Sequence, residues 1–217
     1  MTSTDYTADM TKPSSRFWDK IADRYARQPV KDETAYQEKL QLTQSYLRPD
    51  MKLLEFGCGT GTTALKHAPF VDRILATDIS ARMLEIAEQK AEAAGIGNVV
   101  FERAAIDDFT VPDNSFDVVL GMSILHLLAD KDMVIAKVHN MLKPGGIFVS
   151  STVCLGNTMS FFKLIGPLGH ALGVLPLLKV FTTQELVDNI RARGFDIEHE
   201  WSPGKGTSVF IVARKPA

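Results

Sequence analysis

Short apolar runs alternate with amphipathic segments through most of the chain. Each run is long enough for one buried strand, and strands are predicted at 53–56, 73–78, 98–101, 115–121 and 147–151. The segments between them carry apolar residues at helical spacing, and helices are predicted at 62–68, 80–94 and 132–142. Strands that alternate with helices in this way form parallel sheets covered on both faces. The pattern therefore predicts an α/β fold.

The two ends of the chain add further elements. Residues 1–15 are polar and are expected to be disordered, and two helices are predicted within 16–48. The sequence from Thr182 to Glu185 is that of a capping box, which predicts a helix ending near Gly194. Two strands at 196–201 and 209–213, separated by a turn at 203–206, complete the chain. Residues 16–217 are therefore expected to form a single domain.

The composition is typical of one globular domain and argues against several classes of partner. The chain has 217 residues, of which 45% are hydrophobic, and its formal net charge of −2 gives no electrostatic basis for binding nucleic acid. Its two cysteines, Cys58 and Cys154, do not form a C-x-x-C pair, so neither a zinc site nor a disulfide framework is expected. The N-terminal residues lack a hydrophobic signal core, so a cytoplasmic location is expected.

A carboxylate and three alternating glycines occur at the end of the first predicted strand. They are Glu55, Gly57, Gly59 and Gly61, and they lead into a helix whose first amides are free. A dinucleotide-binding loop requires a glycine at the position of Thr62, and a phosphate-binding loop requires a lysine that is absent from this stretch. A carboxylate here would repel a pyrophosphate but would suit a cation, such as the α-ammonium group of S-adenosylmethionine.

This stretch resembles the first motif of the class I S-adenosylmethionine-dependent methyltransferases, E-x-G-C-G-T-G. The resemblance covers about residues 17–213 and implies methyl transfer from S-adenosyl-L-methionine to a small molecule, with S-adenosyl-L-homocysteine as product. It also implies a Rossmann-like, doubly wound sheet of seven mostly parallel strands, with one antiparallel strand in a C-terminal hairpin. The cofactor-binding loop would then consist of Glu55, Gly57, Cys58, Gly59, Thr60 and Gly61.

A second acidic residue, Asp78, ends the second predicted strand 23 positions after Glu55. In a doubly wound sheet both side chains reach the crevice at the carboxyl ends of the strands, where Asp78 can accept both ribose hydroxyls. The alternative is that Asp78 caps the helix that follows it. The resemblance implies that Ile79 and Met83 pack against the adenine.

The chain departs from the family in the third motif. Counting back from Pro112, Ala105 occupies the position that often holds an adenine-binding aspartate. Ala105 and the backbone amides near Ile106 are therefore expected to contact the adenine ring, and Asp107 is a candidate for binding its amino group.

Four further residues complete the expected cofactor site. The resemblance implies that Gly121 and Met122 line the methionine portion of the cofactor. Tyr25 resembles the tyrosine of the family's N-terminal W-x-x-x-A-x-x-Y helix, which folds over the cofactor. Lys39 is expected to meet the methionine carboxylate, with an ordinary surface lysine as the alternative.

Two residues are candidates for catalysis, and no metal is indicated. His126 follows the fourth predicted strand near the expected position of the methyl group, and histidine can deprotonate an acceptor hydroxyl near neutral pH. The alternative is a histidine that packs at the start of a helix. Tyr25 is the second candidate.

An apolar insertion at 155–180 interrupts the alternation of strands and helices. Lys163 and Lys179 are its only charged residues, and glycines and prolines make it too irregular for a bilayer span of roughly 20 apolar residues. A lid over the active site would exclude water and favour a hydrophobic acceptor. A self-packing appendage, a dimer interface and a contact with a membrane surface are the alternatives. Two further functions also stay open, a phospholipid or quinone methyltransferase at a membrane surface and a non-catalytic S-adenosylmethionine-binding protein.

Overall fold

The computed structural model describes residues 13–157, 175–202 and 208–217. Three of the expectations above concern other parts of the chain. The disorder expected of residues 1–12, the turn at 203–206 and most of the insertion at 155–180 lie outside the described residues.

The described part of the chain contains six α-helices and seven β-strands. The helices are α1 (Pro13–Ala26), α2 (Glu33–Gln44), α3 (Thr62–His67), α4 (Ala81–Ala93), α5 (Lys131–Met141) and α6 (Thr183–Ala192). The strands are β1 (Lys52–Phe56), β2 (Arg73–Asp78), β3 (Val99–Arg103), β4 (Phe116–Met122), β5 (Leu142–Val153), β6 (Asp196–Trp201) and β7 (Ser208–Arg214). Ser14 and Ser15, at the end of the segment expected to be disordered, belong to α1. None of the helices within these described ranges is long and apolar enough to cross a membrane.

The seven strands form one sheet in the order β3-β2-β1-β4-β5-β7-β6. The first five are parallel, and β7 runs antiparallel to both of its neighbours, β5 and β6. This arrangement confirms the predicted sheet and its antiparallel C-terminal strand. The direction of winding reverses between β1 and β4, which are neighbours in the sheet. Ligands of doubly wound sheets bind at such a point, beyond the carboxyl ends of the strands.

Strand β5 begins earlier than the apolar pattern indicates. It covers Leu142–Val153 and therefore includes residues 143–146, whose Lys-Pro-Gly-Gly sequence is typical of a turn. The pairing of β5 with β4 is irregular between Phe116 and Val118. The extra residues of β5 form a bulge, which accommodates a turn-like sequence without ending the strand.

Alternation along β1 divides the core between the two faces of the sheet. Leu54 and Phe56 lie in a buried cluster that includes residues of α5 and α6. Leu53, which points to the opposite face, lies in a second cluster with residues of α3 and α4. Both faces of the sheet are thus covered, as the near-continuous apolar strands predict.

Helix α1 packs across the start of α4 through a shared hydrogen-bond network. The Ser80 hydroxyl accepts from the Met83 amide at 3.1 Å, which caps α4, and donates to the Asp19 carboxylate of α1 at 2.6 Å. The Arg82 amide also donates to Asp19, at 3.2 Å. Because α4 starts just beyond the end of β2, these bonds keep α1 close to the carboxyl ends of the strands.

Gly121 of β4 packs directly against the ring of Phe56. A Cβ at this position would lie 2.6 Å from Phe56 Cζ, and the phenylalanine is fully buried. We expect Gly121→Ala to lower the free energy of unfolding by about 1–3 kcal/mol, the usual effect of overpacking a core, when measured by chemical denaturation.

Gly97→Ala is the matched control for this substitution. In the described part of the chain, no heavy atom lies within 4 Å of a Cβ built at Gly97, so the free energy of unfolding of this variant should change by less than about 0.5 kcal/mol. Equal stability of the two variants would contradict the close packing of Gly121 on Phe56.

Candidate active site

Two glycines of the loop between β1 and α3 have different steric environments. At Gly59, where φ is +54°, a Cβ would have a Tyr25 ring atom at 3.9 Å as its only neighbour among the described residues, so this glycine faces open space there. At Gly61 a Cβ would lie 2.7 Å from the Ala87 Cβ, so that glycine permits close packing of α4. Gly59 therefore leaves room for a ligand, and Gly61 brings a helix against the loop.

Asp78, at the end of β2, connects this loop to the start of α4. One carboxylate oxygen accepts from the Gly59 amide at 2.8 Å, and the other accepts from the Ser80 amide at 2.9 Å. Burial raises the pKa of Asp78, and the amides oppose that rise. The carboxylate thus lies in the predicted crevice beside Gly59, within reach of a ligand there.

A cavity of about 380 Å³ opens beside Gly59 and Asp78. Ten of the residues expected from the sequence line it: Tyr25, Gly57, Gly59, Asp78, Ile79, Met83, Ala105, Ile106, Asp107 and Met122. These residues come from five places in the chain: α1, the glycine loop, the end of β2 with the start of α4, the segment after β3, and the end of β4. The structure therefore brings together most of the predicted cofactor site. The other predicted residues do not line this cavity: Glu55, Cys58, Thr60, Gly61, Gly121, Lys39 and His126.

Glu55 lies behind the loop, with 1% of its surface exposed. Burial, and secondarily the charge of Asp78, raises the pKa of Glu55 to about 8. Its Oε2 has no hydrogen-bond partner among the described residues. Glu55 is therefore a buried carboxyl group that favours its neutral form in the ligand-free protein.

Cys58 and Lys39 lie near the site without entering the cavity. The Cys58 thiol is buried, and burial raises its pKa. Lys39 of α2 donates to the Ser151 hydroxyl of β5 at 3.0 Å, and burial lowers the pKa of its ammonium group. The expected contact of Lys39 with a methionine carboxylate remains a prediction.

His126 lies in a short 3₁₀ helix at Leu125–Leu127 and is buried. Burial lowers its pKa to about 4, so the imidazole is neutral at pH 7 and a weak base. Its carbonyl accepts from the Lys179 amide at 2.8 Å. The neighbouring Ile124 and Leu127 line the cavity, whereas His126 does not.

Tyr25 is the candidate catalytic residue that does line the cavity. Its side chain is 46% exposed, and its ring meets the ring of Trp18 edge to face, with centroids 6.3 Å apart. Burial raises its pKa, and the carboxylates of Asp78 and Glu55 add to the rise, so the phenol is protonated at pH 7.

Several residues that line the cavity were not predicted as site residues. Trp18, the tryptophan of the W-x-x-x-A-x-x-Y helix, lies in the cavity wall with Ser14 and Ser15. Ser123 has a φ of +57°, uncommon for a residue other than glycine, and its amide donates to the Ser151 carbonyl. The remaining apolar wall consists of Ile124, Leu127, Leu128, Ala129, Pro176 and Leu177.

Two lysines outside the predicted set bind the loops around the cavity. Lys90 of α4 donates to Thr60 in the glycine loop. Lys137 of α5 donates to the carbonyls of Ile106 and Asp107, both at 2.9 Å, in the loop that follows β3. Because both lysines lie on amphipathic helices, sequence alone does not distinguish them from ordinary surface lysines.

Comparison with known proteins supports the same family from independent observations. A family model described as a methyltransferase domain matches residues 47–199. The ubiquinone biosynthesis O-methyltransferase of Cereibacter sphaeroides is 30% identical over 151 residues, which are 67% of this chain and 60% of that protein. The 27-O-demethylrifamycin SV methyltransferase of Amycolatopsis mediterranei is 37% identical over 102 residues, 46% of this chain and 38% of that protein.

A solved structure shows the same fold. The crystal structure of the YcgJ protein of Bacillus subtilis has a TM-score of 0.68 and 17% sequence identity, over 83% of this chain and 99% of YcgJ. The chain spans about half the length of the curated relatives it matches. The family model nevertheless covers more than half of this chain and includes the glycine loop and Asp78. The chain belongs to the methyltransferase domain family, within the class I S-adenosylmethionine-dependent methyltransferases.

Proposed function

We propose that this protein transfers the methyl group of S-adenosylmethionine to a small hydrophobic acceptor. The observation that carries the proposal is the composition of the cavity. Its wall contains Gly59 and Asp78, and it also contains apolar side chains that include Ile124 and Leu128. Such a reaction requires both a cofactor-binding site and an apolar surface within one cavity.

The residues present fit the cofactor. Gly59 leaves space that a Cβ would fill, and Asp78 provides carboxylate oxygens at the cavity for ribose hydroxyls. Ile79 and Met83 offer an apolar surface for the adenine, and Met122 also lines the cavity. When bound, S-adenosylmethionine supplies a methyl group already activated by a sulfonium.

The chain's own residues then need chiefly to align the acceptor and exclude water. The acceptor would be surrounded by Trp18 and Tyr25 of α1 and by the cavity-lining residues between Ser123 and Ala129. Tyr25, with its protonated phenol, could orient an acceptor oxygen by hydrogen bonding. His126 is a weaker candidate for a base, because its pKa is about 4 and it lies outside the cavity wall.

The apolar wall supports a hydrophobic acceptor, and so do the names of the relatives. One relative is named for ubiquinone biosynthesis and another for 27-O-demethylrifamycin SV. We therefore infer an aromatic or quinone-like acceptor for this chain. Two alternative functions are tested against this inference: a reaction at a membrane surface, and cofactor binding without catalysis.

Cofactor binding should depend on Asp78 and Gly59. In calorimetric titration with S-adenosylhomocysteine, we expect Asp78→Ala to weaken binding by about tenfold or more, because hydrogen bonds to a charged group contribute roughly 1.5–3 kcal/mol. Gly59→Val should abolish binding, because its side chain would occupy the space beside Tyr25.

Asp72→Ala is the matched control for the binding experiment. Asp72 directly precedes β2, at the opposite end of the strand from Asp78, and its side chain is 51% exposed. This variant should bind like the wild-type protein. Full binding by both Asp78→Ala and Gly59→Val would refute the assignment of the cofactor site.

Catalysis is tested by production of S-adenosylhomocysteine with catechols and hydroquinones that carry apolar substituents of increasing length. We expect turnover that improves with apolar area. Binding of the cofactor with no product from any acceptor would instead support the non-catalytic function. Co-sedimentation of the full chain with anionic vesicles, and turnover only when vesicles are present, would support a reaction at the membrane surface.

Glu55 should make the stability of the ligand-free protein depend on pH. Its pKa is about 8 in the folded state against a reference value of 4.5, so the folded protein binds this proton more tightly than the unfolded chain does. The stability that this provides is complete below about pH 4.5 and is lost as the pH rises through 8. Glu55→Gln should remove this loss.

The measurement is the free energy of unfolding of wild type and Glu55→Gln from pH 5 to pH 9. We expect the two to be similar at pH 5 and the variant to be more stable at pH 9, by at least about 1.4 kcal/mol, the equivalent of one pKa unit. Parallel curves for the two proteins would show that Glu55 is already ionised in the ligand-free state.

A further inference from the structure

One face of helix α4 contacts both the cavity and the glycine loop. Met83, Ala87 and Lys90 are spaced by four and then three residues, so they lie on the same side of the helix. Met83 lines the cavity, and Ala87 lies against Gly61, where a Cβ would be 2.7 Å from its own. Lys90, at the far end of this face, reaches the glycine loop itself.

The Lys90 ammonium group makes three hydrogen bonds, all to this loop and the start of α3. Nζ donates to the Thr60 hydroxyl at 2.8 Å, to the Thr60 carbonyl at 3.1 Å and to the Thr62 hydroxyl at 3.1 Å. An ammonium group has three hydrogens, so these acceptors use its full donor capacity. Thr60 is only 5% exposed, so its carbonyl has little access to water as a substitute donor.

The acceptors of Lys90 are neutral oxygens rather than carboxylates. Burial lowers the pKa of Lys90, and no carboxylate among the described residues contributes an opposing effect. Partial burial of an ammonium group without an opposite charge is unfavourable. The three bonds to the loop offset that cost, so the lysine is suited to stabilise one conformation of the loop rather than to pair with an acid.

We propose that Lys90 is a positioning residue for the cofactor loop, acting through Thr60. Its bonds to the Thr60 hydroxyl and carbonyl fix the orientation of the backbone between Gly59 and Gly61. In this orientation the Gly59 amide donates to Asp78, and the space beside Gly59 stays open. This proposal rests on the proposed function, because the ligand that fills that space is the methyl donor.

Replacement of Lys90 leaves a buried carbonyl without its donor, which the loop can relieve only by moving. Gly59 has a positive φ and no side chain, so on the cavity side the loop is held chiefly by the bond from the Gly59 amide to Asp78. We expect Lys90→Met to bind S-adenosylhomocysteine about tenfold more weakly than wild type in calorimetric titration. Lys90→Arg, which retains a charge and several donors, should recover part of the lost affinity.

Lys66→Met is the matched control, because Lys66 is an exposed lysine of α3. It should bind S-adenosylhomocysteine as the wild type does. Lys90→Gln, a shorter and neutral donor, should give an intermediate affinity, and it provides the readout if Lys90→Met does not fold.

Hydrogen exchange distinguishes positioning from general support of the fold. In Lys90→Met, amides of residues 57–63 should exchange faster, whereas those of α2 and β5 should keep their wild-type rates. The proposal for Lys90 would be overturned if Lys90→Met bound S-adenosylhomocysteine within twofold of wild type. It would also be overturned if exchange became faster in all of these elements and Lys90→Arg recovered no affinity. A wild-type protein that does not bind S-adenosylhomocysteine would overturn the proposed function as well, so the two failures are distinguishable.

Discussion

The hydrogen bonds that Asp78 accepts are the interaction on which the site depends. One carboxylate at the end of β2 binds the Gly59 amide and the Ser80 amide, so a strand, the glycine loop and the start of α4 share a single acceptor. Ser80 in turn donates to Asp19, which brings α1 and its aromatic residues to the edge of the cavity. Loss of this carboxylate would therefore alter three walls of the cavity together.

Two buried carboxyl groups near one another give the site its electrostatic character. Burial raises the pKa of both Glu55 and Asp78, and the charge of Asp78 raises the pKa of Glu55 further. The amides that donate hydrogen bonds to Asp78 favour its charged form. Glu55, in contrast, has one oxygen with no hydrogen-bond donor among the described residues. The site is thus prepared for a cationic ligand, whose charge would favour ionisation of Glu55. This is consistent with a methyl donor that carries a sulfonium and an α-ammonium group.

Much of the fold and the centre of the site could be predicted from the sequence. Apolar runs predicted the parallel strands because such strands are buried on both faces, and the spacing of Glu55, the glycines and Asp78 predicted the crevice. Side-chain direction was harder to predict. Gly121 follows the motif of a ligand-lining position, yet the Phe56 ring covers it, because the alternation of β1 places that ring against β4. His126 likewise lies behind the wall that its neighbours form.

The contacts that the sequence did not indicate depend on tertiary packing. Lys90, Lys137 and Trp18 lie on helices whose periodicity predicts only which face is buried, and their partners come from distant loops. Ser123 adopts a positive φ that no local sequence signal requires. These residues contact loops that are distant in the sequence, so the local patterns that predict strands, helices and motifs do not identify them.

The most direct test of the central claim is a crystal structure of the protein with S-adenosylhomocysteine bound. We expect ribose hydroxyls on Asp78, the backbone of Gly59 beside the ligand, and the sulfur facing the apolar wall that contains Ile124 and Leu128. A ligand bound elsewhere, or a sulfur that faces an open charged groove instead of this wall, would contradict that claim.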